Sequence, residues 1–594
     1  MGNHLCGVDD HSNDIQTNRT MSTFRNFEPQ TCMVIGAGIP NVSSQVPNNP
    51  QQNRFEFNDT TFDSKFESGN LAQVERTNND AFNLWISPDC YKTPNQVRYQ
   101  SWFFFKVEVQ PSPDPNYTRT IQFRIKNLNL SEYNNMSEGM VPVYSTKSTK
   151  DKWKYLPSGL EKIEKDGNFV SITFQYSFNR RDCTVFFAYS FPYTHTELTT
   201  FLDQAEKQAA MNKQILFQRD ILAESLEGRP IELITITEKE PECADISLAV
   251  NQSVISELTN RESQDPLPLT SDNIDRNRKY ILITCRSQAS GISANYVLEG
   301  LINALISSTS LESKAAAENF VFLIIPMINP DGVVRGHSVT DTQGKKLSSS
   351  YHTQISKENY PALDAVKRLV TGLNVRLHMY WDLESTTAYN GATLDAYMIG
   401  NHHADAEAAT VARLFDIYSS QFSLSESKLV HSEGILRSVL FIKENSLFDK
   451  MPQVKFKPVH SSKKRSNNGD VPPLPQKLNA DYQTAQKSHR PLARNFLADI
   501  GGTHLSFTLK TNMFKGKPGD SEESKQKDRS IHRMTQDHMR EIGVALLNVI
   551  LEYNSCHPKS LLPSSQYASF EKLKNYSQFL LSNNEQNDLR KTIA

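Results

Sequence analysis

The sequence predicts two folded parts in series, an antiparallel β-sandwich followed by an α/β domain. Short runs of aromatic and β-branched residues, broken by Pro, Asn and Asp, fill the stretch from Phe55 to about Tyr193. That rhythm is the signature of many short strands joined by turns. From about Thr196 onward, buried-type strands alternate with helical stretches, the pattern of a mixed or largely parallel sheet. A chain of 594 residues also exceeds one compact domain and leaves room for two or three.

Residues 1–52 are rich in Asn, Gln, Ser and Thr and poor in clustered apolar side chains, so they read as a polar tail that cannot offset its ordering entropy. Residues 53–195 hold the runs WFFFKVEV, TIQFRI, FVSITFQY and CTVFFAY, whose rings are expected to form core rather than bind a ligand. In residues 196–554, ELTTFLDQAEKQAAMNKQILF reads as a helix and PIELITIT as a strand. KYILITC and NFVFLIIPMI read as buried strands, with SANYVLEGLINALISS as the helix between them. The runs after Cys285 and Ile328 therefore lie beyond the carboxyl ends of strands, where ligand sites of such sheets sit. Residues 454–494 are basic, Pro-containing and aperiodic, an expected flexible insertion that is either a solvated loop or a docking site for an acidic partner. Residues 555–594 form a carboxyl-terminal extension with one amphipathic helical stretch, expected to pack on the domain or on a partner.

The 64 basic and 66 acidic residues nearly cancel, leaving a formal charge of -2 and no footprint for nucleic acid. Seven scattered cysteines without a CxxC pair suggest a reducing compartment. No apolar run is long enough to span a bilayer, so a cytoplasmic protein is expected. The start MGNHLC offers Gly2 and Cys6 for acylation, but Cys6 stands where the myristoylation pattern wants Ser or Thr, which makes anchoring the lesser reading.

Several segments in one order resemble the cytosolic carboxypeptidase branch of the zinc carboxypeptidases. They are FDSKFESGNLA, SWFFFKVEV, NLNLSEYNNMSEGMVPVYS, FAYSFPYTHTEL, SLEGRPIELITIT and IIPMINPDGVVRG. The resemblance implies an amino-terminal β-sandwich joined to an α/β domain with a central mixed eight-stranded sheet flanked by helices. Active members of that branch trim glutamates from tubulin tails and other acidic carboxyl termini. Zinc on three protein ligands activates their water, and a Glu moves its proton.

Matched to that chemistry, RSQASGISANYVLEG resembles the first metal-binding segment, RVHPGESNASWVMKG, with Gln288 at the ligand His and Gly291 at the ligand Glu. The third ligand, the His of DYHGHS, is matched to His378 in RLHMYWD. VTDTQGKKLSSSY resembles the carboxylate-gripping run RCSLxGxDLNRQW, with Val339 and Ser349 at its Arg positions and Ser348 at its Asn. SFTLKTNM resembles SYTLEASF, which puts Lys510 at the general base. A protonated lysine takes no proton from water.

The resemblance with these departures implies a catalytically inactive, carboxypeptidase-like binding or scaffold protein with no cofactor. Its expected partners are tubulin or acidic peptide tails, in a cytoskeletal or ciliary setting. The alternative is a divergent zinc metallocarboxypeptidase acting on acidic tails, with His337, His352, His378 and His504 as unordered candidates. For Lys510 two readings stand. Its ammonium either holds an acidic tail in the space of the metal, or pairs internally with Asp382 or Glu384.

Overall fold

The computed structural model describes residues 52–114, 116–146, 152–239, 278–351, 355–373, 376–386, 396–400, 405–422, 428–430, 436–438, 492–514 and 533–579. The expected tail except Gln52, Gly2 and Cys6 within it, the expected insertion as far as residue 491, and His352 lie outside the described residues.

The amino-terminal part contains two sheets. One orders Arg54–Glu56, Thr60–Asp63, Phe104–Val109, Thr184–Ala188, Val143–Thr146 and Lys154–Tyr155; the other orders Gln73–Asn78, Ala81–Trp85, Thr118–Asn129, Phe169–Asn179 and Lys162–Asp166. Aromatic side chains alternate inward along these strands and meet between the layers, Phe62 with Phe82 at 4.9 Å and Phe123 with Phe187 at 5.2 Å between ring centroids. One pair corrects the antiparallel expectation: Ala81–Trp85 runs parallel to Thr118–Asn129. Between them the chain crosses to the other sheet as Phe104–Val109, and such a crossover lets it return in the same direction.

The second part is built on a mixed sheet of nine strands among the described residues, where eight were expected. Its centre is four parallel strands in the order Phe320–Ile325, Lys279–Cys285, Leu377–Thr386 and Leu505–Asn512. The first is buried at every position, which explains its unbroken apolar sequence FVFLII. Antiparallel strands Pro230–Glu238 and Ile215–Glu224 extend one side, and Tyr397–Gly400 extends the other. The three-residue strands Lys428–Val430 and Leu436–Ser438 finish that edge and are too short to leave a periodic signal.

Helices cover both faces. On one, Ile292–Leu305 crosses Gln536–Tyr553 so closely that a Cβ on Gly300 would lie 2.0 Å from the Arg540 carbonyl oxygen, and one on Gly543 would lie 1.9 Å from that of Val297. Only glycine permits this approach. On the other face lie Pro361–Gly372 and Ala493–Gly501, the latter starting inside the span expected to belong to the insertion. The carboxyl-terminal residues 570–579 are helical and pack on the domain, with Leu573 fully buried and Phe570 edge-on to Tyr553 at 5.6 Å. No helix among the described residues is long and apolar enough to cross a membrane.

Candidate functional site

The site begins where the Lys279–Cys285 strand turns into the Ile292–Leu305 helix. Arg286 adopts a positive φ of 60°, unusual for a residue with a side chain, and three hydrogen bonds hold it there. Its guanidinium donates to the Ala289 carbonyl at 2.9 Å, to Asn295 Oδ1 at 2.7 Å and to the Tyr193 carbonyl at 3.1 Å. Asn295 in turn donates to the Pro326 carbonyl at 3.1 Å. One buried arginine thus ties the turn to the helix, to the neighbouring strand end and to the amino-terminal part.

Gln288 lies on this turn, partly exposed, and Gly291 caps the helix after it. Space at Gly291 is limited: a Cβ there would sit 3.0 Å from the Gln288 carbonyl oxygen and 3.5 Å from Ser385 Oγ. The Ser293 hydroxyl stands 2.7 Å from Ser385 Oγ and 2.9 Å from the Thr511 carbonyl, joining the helix start to the ends of two more strands. Those strands run in register with Glu384 opposite Lys510 and Ser385 opposite Thr511. Cross-strand neighbours on one face approach closely, and here Lys510 Nζ lies 2.8 Å from Glu384 Oε2. Of the two readings for Lys510, the internal pair is the one formed. The Glu384 side chain is 9% exposed and that of Lys510 23%.

The pair sets the local charges. Burial pushes the Glu384 carboxyl up, but Lys510 and Arg494 outweigh it and hold the group below its ordinary range. Burial pulls Lys510 down, yet Glu384 and Tyr397 carry it above the usual lysine value. Asp382, two residues earlier on the same face, behaves in the opposite way. Burial and then the Glu384 charge drive its carboxyl well above the carboxylate range, despite a hydrogen bond from Thr284 at 3.1 Å.

His378 is a correction. It lies at the amino end of its strand, six residues before Glu384 or about 20 Å away along an extended chain, and does not join Gln288 and Gly291. Its Nε2 pairs with Asn554 Oδ1 at 2.7 Å, and burial, reinforced by the charge of Lys279, lowers its pKa. The residue that the strand register sets opposite Lys510 is Glu384, not His378.

Val339 adjoins the Gln288 turn, its carbonyl accepting from the Ala289 N–H at 3.4 Å. Asp89 of the amino-terminal part supports this run from behind, accepting from the N–H groups of Ser338, Val339 and Thr340 at 2.5, 2.9 and 2.8 Å and from the Thr340 hydroxyl at 3.0 Å. Gly344, at φ 72°, lies so close to the same loop that a Cβ would be 2.5 Å from the Asn95 carbonyl oxygen. Ser348 is buried in the short 3-10 turn Leu347–Ser349, and Ser349 Oγ donates to the Lys346 carbonyl at 3.3 Å. Lys346, at the start of this turn, lies within electrostatic reach of Glu384.

Arg494 was missed by sequence reasoning. It is 6% exposed, in step with the buried Leu497, Ala498 and Gly501 of its helix. An arginine in the apolar period of LARNFLADIG was the clue. Its Nη1 reaches Thr508 Oγ1 at 3.4 Å, and its Nε has no hydrogen-bond partner among the described residues. The three candidate histidines among the described residues do not converge: the His337 ring sits between the Cys90 N–H at 3.3 Å and the Thr340 carbonyl at 3.1 Å, His378 pairs with Asn554, and His504 is exposed.

A parallel sheet core extended by antiparallel strands, with its polar cluster at the carboxyl strand ends, is the architecture of a zinc carboxypeptidase. Solved structures share it: a metallo-carboxypeptidase from Burkholderia cenocepacia superposes with a TM-score of 0.53 at 17% identity, covering 84% of this chain and 99% of that one. A putative carboxypeptidase A from Shewanella denitrificans gives 0.51 at 18% identity, covering 82% and 97%. Residues 62–190 match the cytosolic carboxypeptidase N-terminal domain and residues 202–425 match the zinc carboxypeptidase domain, together more than half of the 594 residues. The chain belongs to the cytosolic carboxypeptidase family. Cytosolic carboxypeptidase 6 of Mus musculus is 29% identical over 356 residues, which are 58% of this chain and 56% of the relative. Cytosolic carboxypeptidase 4 of Homo sapiens is 29% identical over 307 residues, 49% of this chain and 24% of the relative. The chain therefore spans between a quarter and just over half the length of these two relatives.

Proposed function

We propose that this chain is a non-catalytic member of the family that binds rather than cuts acidic carboxyl-terminal tails, those of tubulin among them, in a cytoplasmic, cytoskeletal or ciliary setting. The observation that carries the reading is the Lys510–Glu384 pair at 2.8 Å, formed by the residue that the resemblance matches to the general base. A protonated Lys510 held above its ordinary range takes no proton from water. Nor do the neighbouring residues suit zinc, which favours thiolate, imidazole and carboxylate donors. Gln288 and Gly291 provide none of these side chains, and the carboxylate of Glu384 is engaged by an ammonium that would repel a cation. With Val339, Ser348 and Ser349 at the gripping positions, carboxylate recognition falls instead to Lys510 and Arg494.

Metal analysis of purified protein, paired with an assay of glutamate release from a polyglutamylated peptide, tests this reading. The expected result is substoichiometric zinc and no release. Stoichiometric zinc with turnover would instead establish the divergent metallocarboxypeptidase.

A further inference from the structure

We propose that Glu384 is a built-in carboxylate ligand of this polar cluster, seated on the cation that an incoming acidic tail needs, so that binding proceeds by exchange of one carboxylate for another. The inference rests on the binding reading above and adds its regulation.

Two cations, Lys510 and Arg494, act on one carboxylate, that of Glu384, which bonds to Lys510 at 2.8 Å. The second carboxyl in reach, Asp382, is driven toward its neutral form by burial and by Glu384 itself. Arg494 is 6% exposed with its Nε unpartnered among the described residues, and the hydroxyl of the fully buried Tyr351 is likewise unpartnered. Tyr351 also lies within electrostatic reach of both Asp382 and Glu384. A buried donor left open is costly, and a buried guanidinium is satisfied best by a carboxylate or another oxyanion.

Side-chain length and exposure identify the exchangeable member: Glu384 is 9% exposed on a short stem, whereas the longer Lys510 side chain is 23% exposed. An ammonium on a four-carbon stem can turn from Glu384 toward an external carboxylate without moving the sheet. The internal carboxylate competes at the high effective concentration of a tethered group, so the resting protein is expected to bind weakly.

The test uses the full chain and glutarate, a dicarboxylate with no peptide bond to cleave, in isothermal titration calorimetry. Glu384→Gln keeps the shape and removes the competing charge, and is expected to tighten glutarate at least about tenfold. Lys510→Met is expected to abolish measurable binding, in the wild-type and in the Glu384→Gln background. Unchanged or weaker binding by Glu384→Gln, with its melting curve intact, overturns the inference; so does full binding by Glu384→Gln/Lys510→Met. The two readings fail separately: zinc with glutamate release removes the non-catalytic reading and leaves the glutarate result standing, whereas no release and no tightening removes only the exchange.

Discussion

Replacing Lys510 by Met removes the ammonium from Glu384 and keeps most of the side-chain bulk, so the loss reports the ion pair. Deleting one partner of a buried pair costs ~3–5 kcal/mol. The 23% exposure of Lys510 and the remaining charge of Arg494 place this case at or below that range, at about 2–3 kcal/mol. Glu384→Gln leaves a lysine that can regain water, for a cost of about 1 kcal/mol. With a double variant near ~1–2 kcal/mol, the cycle yields a coupling of about 2 kcal/mol. Hydrogen exchange of peptides from Leu377–Thr386 and Leu505–Asn512 reads this locally, where global unfolding of a chain with two parts is not two-state. Its pH dependence follows from the shifts. Glu384 is lowered, so its contribution is present above the ordinary carboxylate value and disappears as pH falls through the lower folded value. Lys510 is raised, so its contribution is full below about 10.4 and disappears as pH climbs through the higher folded value. Neither Glu384 nor Lys510 titrates between these limits. Asp382 is raised by the Glu384 charge and lowered by that of Lys510, so its titration differs among the four proteins and the coupling is compared at the single value of pH 7. A coupling below about 0.5 kcal/mol at pH 7 would refute the reasoning, because that is what unconnected sites show.

Three further predictions follow from the packing. Gly543→Ala drives a methyl into the Val297 carbonyl and should destabilise by about 3 kcal/mol or more, read as a lower urea midpoint. Asp89→Ala strands three backbone N–H groups at the junction of the two parts and should cost about 3 kcal/mol or more, with faster proteolysis near residues 337–346. Glu197, in the capping box that opens the helix His195–Ala210, is pushed up to about 7 by burial, with Glu67 and Glu299 adding to the shift. Its raised value means a contribution present below about 4.3 and lost as pH rises through about 7. Glu197→Gln should accordingly raise the melting temperature at pH 8 and leave it unchanged near pH 4.5, and equal effects at both would contradict this.

What the sequence made legible was local. Phe320–Ile325 announces a buried strand because all six positions are apolar, and Gly300 sits in a recognisable run because a helix crossing forbids any side chain there. The departures came where information is long-range. His378 was matched through one residue type, while the property that matters, lying beside Lys510 at a carboxyl strand end, belongs to Glu384 and is fixed by pairing between strands over a hundred residues apart. Arg494 left a local clue, its place in the apolar period of its helix, but nothing local says that the buried face meets a carboxylate cluster. The nine-stranded sheet exceeded expectation through edge strands of three residues, below the length at which periodicity speaks.

The tight ground around Gly291 bears on redesign as well as chemistry. A glutamate placed there would press its Cβ to 3.0 Å from the Gln288 carbonyl oxygen, which would have to give by a few tenths of an ångström. A histidine placed at position 288 alone would meet a cluster governed by the Lys510 ammonium. An engineer who wants a zinc site here must therefore change several residues at once, because each change alone brings crowding or repulsion without a set of metal donors.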